Sequence, residues 1–460
     1  MPITCVKKHS DRAPDLAFRE ILADVSDHNT STPRSDLELA IPSLPPLHVI
    51  DEALKNTEVE VDFETIMHAM LYMLSGSNRQ LRDIVNDRVL EVYNDESACD
   101  GQAFIARAIS VVQALACRQR FHSLTASEVA AIAAGGMADC VAHLDLGEVI
   151  ETCGMGADKG FGKSSHGAVQ YKTINVSTLS ALVLSSIGLP AIKHGSYGNT
   201  SKVASSNAAD MLDIPRHFES YELMMEYFCE TGFLYLEAGV FKTVHDLSHM
   251  IKHETVNHIL GPMSVPVSSN TILHKLIGLN GHMDPRVIVE AYNILHERNY
   301  QAMGGIVAIC GLSSDVEFRK FDLTVPNDLY RSTVVDEISP HGTLLAVGCG
   351  GDYFGQVVIE LNDFGECSFT EAEIMIPNEE EAVKVANMAA LTDEDSRLSD
   401  YLAANAALAL IAYSSPNIEF ITNRQYRQGE LRRAYDICRD AISTGEVKRY
   451  LQSISPNLEI

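Results

Sequence analysis

From residue 59 to about 148 the apolar positions recur at helical spacing. In "DFETIMHAMLYMLSG", Ile66, Met67, Met70, Leu71 and Leu74 form one stripe, and the pattern stops at Gly76. "TASEVAAIAA" opens on Thr125 with Glu128 three positions later, the signature of a capping box. After about 148 the texture changes. "GEVIETC" predicts a short buried strand that runs into a glycine-rich loop. "INVSTLSALVLSSIG" predicts a helix capped by Asn175, Ser177 or Thr178 and stopped by Gly188, and "LPAIKHG" predicts a second strand. Strand, helix, strand is a βαβ unit, which requires a parallel sheet with helices against it. The alternation resumes with "TILHKLIGL" and "GGIVAICG" as strands around a helix that starts at Pro285. "GTLLAVGCG" and "GQVVIEL" predict a hairpin. "SRLSDYLAANAALALIAY" and "GELRRAYDICRDAISTGEVKRYLQSI" predict two long helices.

The pattern therefore predicts an α/β protein: an N-terminal helical domain over 59–148, then a larger α/β domain over 149–460 with a central, mostly parallel sheet flanked by helices. Residues 1–58 read as an extension or linker, since "STPRSDLELAIPSLPPLHVIDE" carries four prolines and little periodicity. No internal repeat is present.

Composition narrows the function classes. Sixty-two acidic residues against 35 basic ones give a net charge of −27 across 460 residues. A field of that sign repels nucleic acid and anionic membranes. The ten cysteines include no C-x-x-C pair, which predicts reduced thiols in a cytoplasm and argues against a zinc site. The N-terminus has no signal-peptide core. The longest apolar stretch, "STLSALVLSSIGLPAI", holds five serines or threonines and is too short to span a bilayer.

Three clusters carry candidate chemistry. The first is "CGMGADKGFGKSS". Gly162-Lys163-Ser164 imitates the end of a P-loop, but Ala157 stands where that motif needs glycine; Gly154, Gly156 and Gly160 miss the dinucleotide spacing by one residue. With the helix start at Asn175, Ser177 and Thr178, and with Lys193 and Lys202 further on, the loop is either an anion site or a turn beside ordinary caps. The second is "VVDEISPHGT", where Asp336 and Glu337 are adjacent. Such a pair can share a hard cation that bridges phosphates, or simply form an acidic turn. The third is "HDLSHMIKHETVNH", in which His245, His249 and His253 recur every four residues. On a helix they would line a metal site, a polar pocket wall or a half-buried face.

In order along the chain, "GMGAD", "NVST", "KHG", "NTSK", "LGPM", "DEIS" and the helix "AANAALAL" resemble the anthranilate phosphoribosyltransferase family and its relatives of the same fold, the nucleoside phosphorylases. The likeness runs from about 125 to 460. It implies a site for phosphoribosyl pyrophosphate in a cleft between the two domains, with a helical-domain contribution from about 216–262 and dimers formed through that domain. It implies that Gly154, Gly156 and Asp158 sit on the pyrophosphate and ribose. Asn175, Ser177, Thr178, Lys193 and Lys202 would bind phosphate, and Ser177, Asp336 and Glu337 would hold Mg²⁺. No side-chain nucleophile is expected. Residues 159–171 then form a loop insertion that happens to spell a false P-loop.

The departures from the family fall around the acceptor. The family's K-H-G-N-R is here Lys193-His194-Gly195-Ser196-Tyr197, and counting back from Thr255 puts Ser248 where the family has a carboxylate-binding arginine. Serine cannot make a bidentate clamp. The expected acceptor pocket, with His194, Ser196, Tyr197, His245, Ser248 and His249, therefore suits an aromatic or heterocyclic nitrogen acceptor other than anthranilate. The rival expectations are a nucleoside phosphorylase and a non-catalytic binding relative. Asp336 and Glu337 speak for the transferase.

Overall fold

The computed structural model describes residues 53–56, 60–75, 110–118 (apart from 112 and 116), 124–138, 144–156, 171–196, 203–237, 257–314 and 333–458. They divide into two compact units. One comprises the described residues up to 146 together with 257–268. The other comprises those of 147–237 and 269–458.

The first unit is helical. Helix Ala126–Ala138 begins with the expected capping box: Thr125 N–H donates to Glu128 Oε2 at 3.0 Å, and Glu128 N–H donates to Thr125 Oγ1 at 3.2 Å. Glu128 is fully buried and does more than cap. It pairs with buried Arg118 and accepts Val61 N–H at 3.0 Å. Helix Phe63–Ser75 packs on this helix at Gly135, where a Cβ would run into Met70. Helix Asn257–Met263 packs beside it, and Ser264 Oγ donates to the Ala133 carbonyl at 3.0 Å.

The second unit is built on a sheet. Its strands are β1 Glu148–Gly154, β3 Ala191–Gly195, β4 Phe233–Glu237, β5 Ile272–Gly278, β6 Met303–Leu312, β7 Thr333–Val335, β8 Thr343–Cys349 and β9 Asp352–Ile359; β2 Tyr171–Lys172 pairs separately with β10 Ile376–Pro377. The order across the sheet is β4-β3-β1-β5-β6-β8-β9, with β7 also on β6. β4, β3, β1, β5 and β6 are parallel; β7 and β8 pair antiparallel with β6, and β9 pairs antiparallel with β8. The mostly parallel sheet is thus present, and the expected hairpin is β8–β9. Alternation sorts the two faces. Ile150, Ala191, Leu276 and Val347 meet helices Val176–Ser186 and Arg397–Tyr413 in one large apolar core. Gly348, one residue along from Val347, faces Val289 of helix Pro285–Glu297 on the other side.

The long C-terminal pattern is two helices, not one. Arg424–Ser443 ends at Thr444, and Gly445, at φ 72°, starts Glu446–Ile454. Strand β4 and helices Tyr221–Thr231 and Glu380–Thr392 have no counterpart in the pattern reading. Of the stretch 216–262, residues 216–237 lie on the sheet and 257–262 in the helical unit. Cys117, Cys153, Cys310, Cys349, Cys367 and Cys438 are free thiols, whereas Cys229 is in a disulfide, against the expectation of reduced thiols throughout. Among the described residues no helix is long and apolar enough to cross a membrane.

The second face of the sheet hides a charged cluster. Glu151 on β1 and Lys275 on β5 stand opposite each other in register, both fully buried and ion-paired. His194 Nδ1 on β3 bonds the other oxygen of Glu151. Burial alone would raise the Glu151 carboxyl, but His194 and Lys275 outweigh it and hold it at about 2. Removing one member of a buried pair strands the other charge, which costs more than the pair contributes. Lys275→Met is expected to lower the unfolding free energy by about 3–5 kcal/mol in urea titrations. Adding Glu151→Leu should recover much of that loss. A single-variant loss below about 1 kcal/mol would mean that His194 alone neutralises Glu151.

Candidate functional site

The chain runs from β1 outward to β3 and β4, then returns to place β5 on the other side of β1. Connections therefore diverge at the carboxyl ends of β1 and β5, the switch point where open α/β sheets bind ligands. The two strands end in register on Gly154 and Gly278. Asp336, one residue beyond β7, lies across both. A Cβ on Gly154 would strike Asp336 Oδ2, and one on Gly278 would overlap the Asp336 carbonyl. Gly156, at φ 80°, donates its N–H to Asp336 Oδ2 at 2.9 Å. The loop backbone and the acidic turn are thus joined directly, which only glycine at these positions permits.

Glu337 is held from two other directions. Thr173 Oγ1 and Tyr401 Oη each donate to Glu337 Oε2 at 2.7 Å. Burial and the neighbouring Asp336 push its carboxyl up to about 8, against the pull of Tyr401, Thr173 and Lys172. Lys172 in turn is drawn down to about 8 by burial, while Glu337 and Asp336 oppose the shift. Its Nζ donates to the Val203 carbonyl at 2.7 Å. Among the described residues no three His, Cys, Asp or Glu side chains converge. The acidic turn offers two adjacent carboxylates. Magnesium occupies such sites with water and substrate phosphate completing its shell.

The helix Val176–Ser186 begins beside this turn, but its start is not capped as expected. Asn175 occupies the N-cap position and makes no side-chain cap bond. It forms instead a reciprocal pair with buried Asn387: its N–H donates to Asn387 Oδ1 and its Oδ1 accepts from Asn387 Nδ2, both at 3.0 Å. With the cap diverted, the positive end of the helix is available to an anion. Ser177 is half-buried there, and Thr152 Oγ1 donates to its carbonyl at 2.5 Å. Thr178 is fully buried, and its hydroxyl has no hydrogen-bond partner among the described residues. Lys193 sits within β3. It is buried, and burial lowers its ammonium below the usual lysine range, with Glu151 and Asp336 among the charges opposing.

The glycosyl transferase family a/b domain matches residues 161–281. An anthranilate phosphoribosyltransferase of Methanococcus maripaludis is 27% identical over 340 residues, 72% of this chain and 86% of that protein. One from Pyrococcus furiosus is 32% identical over 37% of this chain and 49% of its own length. Among solved structures, the Thermus thermophilus anthranilate phosphoribosyltransferase superposes with a TM-score of 0.59 at 18% identity, covering 88% of this chain and 98% of that one. The Saccharomyces cerevisiae enzyme in complex with PRPP and Mg superposes with a TM-score of 0.57 at 17% identity, over 89% and 97%. The chain thus resembles the anthranilate phosphoribosyltransferases over most of its length and carries the a/b domain of the glycosyl transferase family.

Of the residues that the family motifs single out, the structure brings Gly154, Gly156, Asp336 and Glu337 together, and Thr173, two residues before Asn175, bonds Glu337. His194 is committed through Nδ1 to Glu151. Ser196 lends its carbonyl to Ser206 N–H at 3.1 Å. Asp158, Lys202, Tyr197, His245, Ser248 and His249 lie outside the described residues, as do the loop insertion and the histidine stripe. Sequence reading missed Lys172, Thr173, Asn387 and Tyr401. Thr173 and Lys172 flank the "NVST" motif and could have been taken with it; Tyr401 and Asn387 carry no local signal. Because Asp336 is packed on the glycine backbones, Gly278→Ala is expected to destabilise the fold by about 1–3 kcal/mol in urea unfolding. A neutral result would show that the acidic turn can move away freely.

Proposed function

We propose that the protein is a Mg²⁺-dependent phosphoribosyltransferase that moves ribose 5-phosphate from phosphoribosyl pyrophosphate to the nitrogen of an aromatic or heterocyclic acceptor. The observation that carries this reading is the Asp336–Glu337 turn seated on Gly154, Gly156 and Gly278 at the switch point, beside an uncapped helix start. The donor set fits the cation. Asp336 Oδ2 accepts from the loop, and Glu337 Oε2 accepts from two hydroxyls, so both carboxylates are held in place by the protein. A cation there offsets the burial and mutual repulsion that push Glu337 upward. Asp336, Glu337 and Ser177 would hold it.

Departure of pyrophosphate from C1 of the ribose builds negative charge on the leaving group and positive charge on the sugar. Bound Mg²⁺ supplies Lewis-acid stabilisation of the leaving oxygens. The chain's own groups act on the same charge. The N–H groups at Ser177 and Thr178, fixed by the helix, and the Lys193 ammonium, held in a low-dielectric setting, stabilise the pyrophosphate without reorganising. Gly154 and Gly156 let backbone approach it, and Asp158 would reach the ribose. Lys202 would add a second positive charge. The acceptor nitrogen then attacks C1 and loses its proton to solvent or a nearby base.

For the acceptor, the relatives' names point to anthranilate. Ser196, Tyr197 and Ser248 favour a neutral or weakly ionised heterocycle, since the positions that would clamp a carboxylate lack fixed positive charge. Cytoplasmic location and a homodimer accompany this reading by analogy with the family.

Calorimetry tests the cation and anion sites. Asp336→Asn with Glu337→Gln is expected to abolish the Mg²⁺ dependence of phosphoribosyl pyrophosphate binding, and wild-type affinity in that variant would overturn the reading. Ser177→Ala and Lys193→Ala are each expected to weaken binding by about 1.5–3 kcal/mol, whereas Lys163→Ala leaves it unchanged. A pyrophosphate-release assay decides the acceptor. Neutral bases are expected to turn over and anthranilate at millimolar concentration is not; efficient release with anthranilate would make it the substrate.

A further inference from the structure

We propose that Tyr401 and Thr173 are positioning residues that fix the Glu337 carboxylate so that Oε1 faces the divalent cation; this rests on the cation reading above. A glutamate has three rotatable side-chain bonds, and a carboxylate held at neither oxygen spins through them. Here both available protons go to one atom. The Thr173 hydroxyl and the Tyr401 phenol each donate to Oε2 at 2.7 Å, and among the described residues no hydrogen bond goes to Oε1. Two donors converging on one oxygen define the plane of the carboxylate as well as its direction.

The donors are themselves fixed. Tyr401 is fully buried on helix Arg397–Tyr413, with its ring edge-on to Phe369 at 5.1 Å. One turn further along, Asn405 Oδ1 accepts the N–H of Ile338 at 3.1 Å, and Asn405 Nδ2 returns to the Tyr401 carbonyl at 2.9 Å. The helix thus grips the acidic turn twice, once through the Glu337 side chain and once through the backbone that follows it. Thr173 lies in the chain between β2 and the N-cap Asn175. Its bond ties the cation carboxylate to the helix start that would take the phosphate. Removing either hydroxyl leaves Glu337 in place but lets its carboxylate rotate. Partners of this kind, one bond removed from a metal, typically change metal affinity by about 10- to 100-fold.

The test compares Tyr401→Phe, Thr173→Val and Thr173→Ser with Glu337→Gln. Mn²⁺ binding is followed by electron paramagnetic resonance, and phosphoribosyl pyrophosphate binding by calorimetry with Mg²⁺ or with EDTA. Tyr401→Phe keeps the ring packing, and Thr173→Val keeps the shape of the threonine. Each is expected to weaken Mn²⁺ binding at least about 10-fold and to shrink the Mg²⁺-dependent gain in ligand affinity by a similar factor, with little change in EDTA. Thr173→Ser should restore both. If Glu337→Gln also leaves Mn²⁺ binding intact, the cation reading itself fails. If Glu337→Gln abolishes binding while Tyr401→Phe and Thr173→Val bind Mn²⁺ as wild type, the positioning inference alone is overturned. An equal loss with Mg²⁺ and with EDTA would assign the two hydroxyls a purely structural role and would also overturn it.

Discussion

Asp336 can lie across the ends of β1 and β5 only because no side chain stands between them. Gly154 and Gly278 are register partners, and the acidic turn rests on their bare backbones. Every other part of the candidate site follows from that seat. The Gly156 N–H reaches Asp336 because the loop leaves β1 under the same carboxylate. Glu337, next in the chain, then points toward Thr173 and Tyr401. The same crowding recurs at Gly311 on β6, where a Cβ would strike the Glu337 carbonyl. Three strands therefore end in glycine or pass the turn on glycine, and the sheet's connectivity makes that the one place where their loops diverge.

The second requirement is that the buried polar groups be satisfied away from the site. Helix Arg397–Tyr413 is buried over most of its length, yet Asp400, Tyr401 and Asn405 lie within it. Each has a partner: Tyr435 and Arg439 for Asp400, Glu337 for Tyr401, the Ile338 backbone for Asn405. An unpaired polar group there would cost about 1–3 kcal/mol. The apolar residues of the helix fill the core, and its polar residues aim at the acidic turn and at helix Arg424–Ser443. Core packing and site geometry are for this reason not separable: a shift of the helix moves Glu337.

What was legible in the sequence is what is local. Strands β1, β3, β5, β6, β8 and β9 and the helices around them follow from period and from punctuation by glycine and proline. The glycine loop, "NVST" and the Asp336–Glu337 pair were readable because each is a short motif whose residues act as neighbours. The rest was hidden by distance along the chain. Asn175 looked like an ordinary cap, and nothing near it announces Asn387, 212 residues away, which takes its side chain. Tyr401 looked like one more apolar position in an alanine-rich helix. Lys275 carries no local signal of its partner, and only the register of β1 against β5 shows that it answers Glu151. The change of Gly445 from helix interior to break was also missed, since a single glycine in a strong pattern does not declare its φ.

The diverted cap bears on function more than its size suggests. A side-chain oxygen at the N-cap would normally satisfy one of the first N–H groups of helix Val176–Ser186, and Asn175 is among the best residues for that task. Pairing it with Asn387 gives up a cap worth about 1 kcal/mol but gains two hydrogen bonds with a fully buried amide, so the fold loses nothing by the exchange. What it changes is the electrostatics at the helix start. The N–H groups keep their partial positive charge, and the buried Lys193 lies within electrostatic reach of Asp336 in the acidic turn. Negative carboxylates and an uncompensated positive helix end stand side by side, with glycine backbone between them. That combination is unfavourable for binding an anion alone, because Asp336 repels it, and unfavourable for binding a cation alone, because the helix end and lysine repel it. It favours the two together, which is what the proposed metal–pyrophosphate site requires.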